Sequence, residues 1–560
     1  MAPPDPLWFL LVPPESRPKK LTSEFMDAVL SERTYTDPAR WVRFLWYARF
    51  VRVLCIVTSD DLESKHRELV YALMEHNGGA SPFPSLLDLQ WCPSSYSDSS
   101  YFPLFTRQMC VAAFRIPRPT QEHPYRLEED PESHIFLTRL QAASPRLCFL
   151  AVDASWQRLG DHHIRAICSF DGLVDLDLTA SLSMSSFREL AAIPHLKYLK
   201  AGQVLSDTDS DTVTRALASP AGGLSHPAAR ISAPRLQLLS LSGDCHLLAA
   251  LFAALCAPNL KTAAFTAVCR DPHPPTVGYV PCLEAVAAFG TLEELQVALH
   301  APVPRERVHL AALLDPLLPL RGLAHFLLMS ANRDGRGRAR GLWLVASDAD
   351  FAALARAWPR LRTLRFMDVY WDASRADDGH EGGAEGEGGP GGDGPGEAGG
   401  IAIPRRGLTP TPEVLRLFRD HCPDLWQLML PYLSLDGGVP QLDLVAQDSA
   451  PPHVLRRLVF GATTDATGNP GGDEGERERA REGKVARVLA DDKAEEWARY
   501  ILGLFPNLNE ERSIAECVSL SATSTSGWIE VLQRVRELRS SGRSSESASL
   551  GGMVAELTGQ

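Results

Sequence analysis

A short apolar phrase recurs along this 560-residue chain, and it decides what the chain can fold into. It reads apolar-x-x-apolar-x-apolar, usually with a proline two residues ahead. Copies are Pro84, Leu86, Leu89, Trp91; Pro145, Leu147, Leu150, Val152; Pro194, Leu196, Leu199, Ala201; Pro234, Leu236, Leu239, Leu241; Pro359, Leu361, Leu364, Phe366; and Pro423, Leu425, Leu428, Leu430. Leu173, Leu176, Leu178 and Leu292, Leu295, Val297 keep the spacing with a glycine ahead instead. The interval is 26 residues from Leu147 to Leu173, 23 from Leu173 to Leu196 and 24 from Leu236 to Leu260. Such a period predicts a solenoid, in which each unit buries its core only against its neighbours. A solenoid offers a long face to partners and supplies no active site by itself.

Helical segments separate the phrases. Arg67 to His76 presents Leu69, Val70 and Leu73; His134 to Ala142 presents Ile135, Leu137 and Leu140; Leu247 to Cys256, Phe351 to Trp358 and Pro412 to His421 behave similarly. Strand then helix, repeated, predicts an α/β solenoid with a concave parallel sheet, helices outside it and right-handed crossovers. Asp37-Pro38 reads as an N-cap and first-turn proline, with Trp41, Phe44, Leu45 and Ala48 on one helix face. The expected layout is an unstructured 1–20, a helical cap over 21–50, the solenoid over 51–371 and 404–461, and a final repeat with a helical cap over 486–538. Trp528, Val531, Leu532, Val535 and Leu538 form the stripe of that cap. Polar or Pro/Gly-rich insertions fall at 93–103, 117–131, 203–230, 270–280 and 331–341. Residues 372–403, 462–485 and 539–560 are expected to be disordered. Eleven of the twenty positions from Glu381 to Gly400 are glycine, too little apolar surface to offset chain entropy.

The net charge of −13 names no partner class, because eight acids and one base between Asp372 and Gly400 supply −7 of it. No apolar run reaches the roughly 20 residues that cross a bilayer, and Trp8 to Val12 is too short for a secretory signal. The eleven cysteines form no Cys-x-x-Cys pair. Cys55, Cys148, Cys168 and Cys256 read as reduced core residues of a cytoplasmic or nuclear protein.

The phrase resembles the leucine-rich repeat, Leu-x-x-Leu-x-Leu-x-x-Asn/Cys, without its asparagine. That place holds Ser59, Ser94, Ser155 and Ser181 early, then Val204, Asp244, Val268, His300 and Val369, so the repeats are expected to be irregular. The prolines of Ser144-Pro145-Arg146-Leu147 and Cys422-Pro423-Asp424-Leu425, and a helix from Trp41 to Phe50 running into Val51 to Leu54, make the layout similar to fungal F-box proteins with divergent leucine-rich repeats. The F-box that precedes this point in that family is absent from this sequence; only Pro6-Leu7-Trp8 is similar to its tail. The resemblance implies substrate recognition for a cullin-RING (SCF-type) ubiquitin ligase. A stand-alone repeat scaffold is the alternative.

Chemistry-bearing clusters are few. Asp161-His162-His163 fits a metal-bound phosphoesterase motif, but reads better as a helix start with Asp161 as N-cap and Ile164 and Ile167 inward. His300, His325 and His421 are single histidines, and Arg333, Arg336, Arg338 and Arg340 read as a solvated loop. No nucleophile elbow, zinc-protease or phosphate-loop motif occurs. The expectation is a protein that is not an enzyme, with no cofactor and no metal. It binds a protein on its concave face, with membrane and nucleic acid not expected as partners. Alternation along the strands turns Asp88, Gln90, Phe149, Asp153, Asp175, Asp177, Tyr198 and Lys200 outward in the first half. In the second half it turns out Glu294, Gln296, His325, Met329, Arg365, Met367, Gln427 and Arg457. Phe149 and Tyr198 are the aromatic anchors.

Overall fold

The computed structural model describes residues 7–12, 22–56, 60–91, 104–115, 131–154, 159–205, 230–269, 275–300, 307–330, 343–367, 370–371, 410–430, 433, 439–440, 453–460, 491–520 and 528–541. The expected insertions at 93–103 and 331–341 and the expected disorder at 372–403 and 462–485 lie outside them. Two compact units make up the chain, Met1–Phe265 and Thr266–Gln560.

The proline of the repeated phrase has a mechanical role. The N–H of Leu147 donates to Ser144 O at 3.1 Å, that of Leu196 to Ile193 O at 3.3 Å, and that of Leu361 to Trp358 O at 3.0 Å. Pro145, Pro194 and Pro359 therefore occupy the second position of a four-residue turn, where a fixed φ near −65° suits the backbone. The turn delivers the chain to its strand in one way throughout. Two successive N–H groups converge on a single carbonyl of the previous rung: Val174 and Asp175 on Cys148 O, Lys197 and Tyr198 on Val174 O, Arg362 and Thr363 on Ala324 O.

In the first unit the strands β1 (Val53–Ile56), β2 (Asp88–Trp91), β3 (Val111–Arg115), β4 (Phe149–Asp153), β5 (Asp175–Leu178), β6 (Tyr198–Leu205) and β7 (Leu238–Asp244) pair in parallel in that order. β8 (Thr262–Val268) lies at the division between the units. In the second unit β9 (Glu294–His300), β10 (His325–Ser330), β11 (Thr363–Met367), β12 (Gln427–Leu430) and β13 (Arg457–Phe460) pair likewise. Each unit is an α/β leucine-rich-repeat-like solenoid: strand, helix, strand, with every pairing parallel. Leu150, Leu176, Leu199 and Leu239 form one buried row, and Leu295, Phe326, Leu364, Leu428 and Leu458 another. The helices stack in turn, Pro131–Ala143 on Asp161–Cys168 and that on Met184–Ala191. A second, shorter parallel ladder, unseen in the sequence pattern, joins Arg307–His309, Trp343–Val345 and Tyr370–Trp371.

Gly202 sits where β6 shifts register against β7. A Cβ there would lie 2.2 Å from Thr179 O and 2.8 Å from Ala180 O, both backbone atoms that cannot swing aside. Gly202→Ala is expected to destabilise the protein by about 1–3 kcal/mol, read as a lower urea midpoint at constant m-value.

Several expectations are corrected. Residues 7–12 are ordered rather than unstructured: Trp8, Phe9 and Leu11 are buried, and Trp8 stacks on Phe44 at 6.3 Å. The apolar run is short, but it closes the end of the core. Ile135 is exposed and Phe136 takes its place inside, packed at 4.7 Å on Phe114. The expected insertion at 270–280 is partly the helix Pro275–Ala287, which Pro275 opens as a first-turn residue. Cys55 and Cys256 are exposed rather than core residues, and Cys148 and Cys168 are only half-buried: Cys55 stands opposite Gln90 on the outward side of β1, and Cys256 ends a short strand, Leu255–Cys256, that follows the helix Cys245–Ala254. The terminal helix runs on to residue 541, since Arg539 bonds Glu510 and the carbonyls of Leu508 and Pro506.

Candidate functional site: the outward sheet face

Parallel register aligns the outward side chains into rows. In the first unit one row runs Val53, Asp88, Val111, Phe149, Asp175, Tyr198, Leu238. The next runs Cys55, Gln90, Ala113, Ala151, Asp177, Lys200, Ser240. The sequence-predicted residues of the first half thus fall side by side, Asp153 one step beyond. Val111 and Leu238 were missed; their signal was register, two apolar residues at outward positions flanking the aromatic pair.

The rows are polar but lightly tied. Lys200 Nζ reaches Asp177 Oδ2 at 3.3 Å, Tyr198 OH meets Gln237 Oε1 at 3.5 Å, and Gln90 Nε2 donates to Asp88 Oδ2 at 3.4 Å. Asp88 Oδ1 has lost water without gaining a protein donor. Asp153 is firmer: Thr179 Oγ1 donates to it at 2.6 Å. Tyr198 is 37 % exposed, and Phe149, on the far side of Asp175 in the same row, is half-buried. Burial pushes the Asp175 carboxyl above its ordinary range; Lys200 pulls it back and Asp177 adds to the rise. A desolvated carboxylate of this kind gains most from an arriving cation.

The second unit departs from expectation. Its first row is Glu294, His325, Thr363, Gln427, Arg457, and its second Gln296, Leu327, Arg365, Met429, Val459. Gln427 was expected to be exposed but is buried, together with Thr363, Met429 and Val459. β12 is buried at all four positions, so no outward face exists there. Arg457 is largely enclosed and already engaged, 3.4 Å from Glu516 and stacked on Trp426 at 5.1 Å. The helix Glu510–Leu520 causes this at the last rung. It lies against β13, where Ser513 Oγ accepts from Leu458 N. Glu294, Gln296, His325, Met329, Arg365 and Met367 are half-buried. His325 Nδ1 is 3.1 Å from Thr363 Oγ1, and Arg365 Nη2 points at Met367 Sδ.

Asp161-His162-His163 opens the helix Asp161–Cys168, but the N-cap is Gly160, one residue before the expected Asp161. Ile164 and Ile167 are buried as expected. His163 is buried against His162, ring centres 3.9 Å apart, and His134 stands 5.4 Å from His162. Burial first, then His162 and His134, pull the His163 pKa down to about 3. Among the described residues no group of three or more His, Cys, Asp or Glu is placed to hold a metal ion. The arginines 333–340 lie outside the described residues.

No protein-family model matches the chain, and no curated protein does. Among solved structures, the chain is similar to an internalin from Listeria monocytogenes. The identity is 14 %, over 62 % of this chain and 82 % of that one, at a TM-score of 0.26. It is also similar to a leucine-rich-repeat protein of Leptospira interrogans, at 9 % identity over 59 % and 94 %, with a TM-score of 0.18. Likenesses this distant add nothing to the strand ladders, on which the fold assignment rests.

Proposed function

We propose that this chain is a protein-recognition module that takes a basic segment of its partner on the outward sheet face of the first unit. The observation that carries the reading is the row Phe149–Asp175–Tyr198. Two aromatic anchors flank a carboxyl that burial has raised, with Asp88 and Asp177 alongside and Lys200 as the one cation of these two rows. Hot spots favour such aromatics, and a prebuilt face loses little entropy on binding. Affinity capture by the full-length chain, with mass spectrometry, tests it. Phe149→Ala with Tyr198→Ala is expected to weaken the captured partner about tenfold or more, and Asp175→Asn to weaken it further, with the circular dichroism spectrum unchanged. A double variant that retains every partner at full affinity overturns the reading.

The finer reading is a substrate-recognition subunit of an SCF-type ubiquitin ligase. It rests on the resemblance of Pro145, Pro423 and the Trp41–Phe50 entry to fungal F-box repeat proteins. Co-purification of the full-length chain with the ligase adaptor supports it; failure to recover the adaptor leaves the stand-alone scaffold. Location in the cytoplasm or nucleus belongs to the same proposal, and the free thiols of the described cysteines agree with it. That the chain is not an enzyme is part of the same proposal. Among the described residues no helix is long and apolar enough to cross a membrane.

A further inference from the structure

The helix Pro38–Ala48 buries Phe44 and Ala48 and turns a second apolar face to solvent. Val42 is 66 % exposed, Trp46 49 %, Tyr47 41 % and Phe50 56 %. These side chains are organised rather than scattered. Trp46 meets Tyr47 edge-on at 4.7 Å and Phe50 at 5.2 Å. The Arg49 guanidinium stacks on Trp46 at 5.1 Å and on Phe50 at 4.7 Å. Clustered aromatics held in place by a cation are costly to keep in water and are a common mark of an interface.

Charge says what fits there. From Pro38 to Ile56 the chain carries Arg40, Arg43, Arg49 and Arg52 and no acid, in a protein of net charge −13. Arg40 is paired with Asp37 at 3.2 Å, and Arg52 donates to Ser85 O. Arg43 and Arg49 are exposed and make no ion pair among the described residues. A guanidinium fork recognises carboxylates, and these two stand beside an aromatic floor. Two features weigh against an anionic lipid surface. The sheet face beginning at β2 is acidic, with Asp88, Asp175 and Asp177, and would be repelled by it. The far edge of β1 carries no strand among the described residues, and only a polypeptide can pair with such an edge.

We propose that this face docks an acidic, apolar-bearing segment of another protein, its carboxylates on Arg43 and Arg49 and an apolar side chain against Trp46 and Phe50. The surface is separate from the Phe149–Tyr198 row and takes a partner of opposite charge. The test uses the full-length chain and fluorescence anisotropy with a labelled peptide of Glu-Asp-Phe-Leu repeats. A Lys-Lys-Phe-Leu peptide is the charge control. The acidic peptide is expected to bind about tenfold or more tighter than the basic one. Arg43→Glu with Arg49→Glu, and separately Trp46→Ala with Phe50→Ala, each weaken it about tenfold or more without moving the melting temperature. Phe149→Ala with Tyr198→Ala leaves this affinity intact, which separates the proposal from the sheet-face reading. Equal affinity for both peptides, or full affinity in the Arg43→Glu, Arg49→Glu variant, overturns it. So does binding to phosphatidylserine-rich vesicles in place of the peptide, or a dimer that Trp46→Ala with Phe50→Ala dissolves.

Discussion

Replacing Trp358 by alanine is expected to lower stability by about 3–5 kcal/mol. Trp358 is fully buried and joins successive repeats of the second unit. Its Nε1–H donates to Leu317 O at 3.2 Å, and its ring lies 5.1 Å from Phe326 on β10. Its own carbonyl accepts from Leu361 N, closing the turn into β11, and faces Cys422 Sγ at 3.5 Å in the following repeat. Truncation removes the ring and leaves a cavity bounded by elements that cannot collapse independently. Trp358→Phe separates the contributions: much of the volume stays, the Leu317 carbonyl loses its donor, and the expected loss is about 1–3 kcal/mol. Urea unfolding followed by far-ultraviolet circular dichroism measures both, with hydrogen exchange of β10 and β11 as the local readout. A Trp358→Ala loss below that of Trp358→Phe would contradict the role given to packing.

The ladder was legible because one phrase encodes two things at once. The proline, or a glycine as at Gly172 and Gly290, shapes the turn, and the apolar pair two residues apart fixes which face is inside. Leu176 and Leu178 are buried while Asp175 and Asp177 are half-exposed, as alternation requires. Alternation is silent on what covers the other face. Gln427 has the same pattern as Asp175, yet its strand is enclosed on both sides. Helix phase was less secure. In the helix Pro131–Ala143 the difference between Ile135 and Phe136 is one residue, about 100° of rotation, and Phe136 wins through its contacts with Phe105 and Phe114. The face of Trp46 and Phe50 went unread because attention to the buried stripe of Phe44 and Ala48 treats the opposite side as solvent. Trp8 escaped because a five-residue apolar run has no period of its own.

Stability is expected to fall steadily as the pH drops below about 6.5, and His163 is the main cause. Its neutral imidazole is buried, and burial with the neighbouring His162 and His134 holds its pKa at about 3. The unfolded chain takes up a proton at the ordinary histidine pKa that the folded chain refuses. Folding is therefore weakened by about 1.4 kcal/mol for each pH unit below that value, until the folded pKa is reached. His453 acts in the same direction. It is buried, its Nε2 is 2.9 Å from Cys422 O, and its Nδ1 accepts from Leu455 N, a bond that protonation would break. Between pH 6.5 and 5, before most carboxylates titrate, His163 alone accounts for a loss of about 2 kcal/mol. His163→Leu removes the charge without opening a large void, and is expected to flatten the urea-derived stability profile over that interval by this amount, while a His162→Gln variant keeps most of the slope. Hydrogen exchange in the helix Asp161–Cys168 should show the same pH dependence. A profile as steep in His163→Leu as in the parent chain would mean that this imidazole takes up its proton in the folded state, and that its ring is open to water rather than buried.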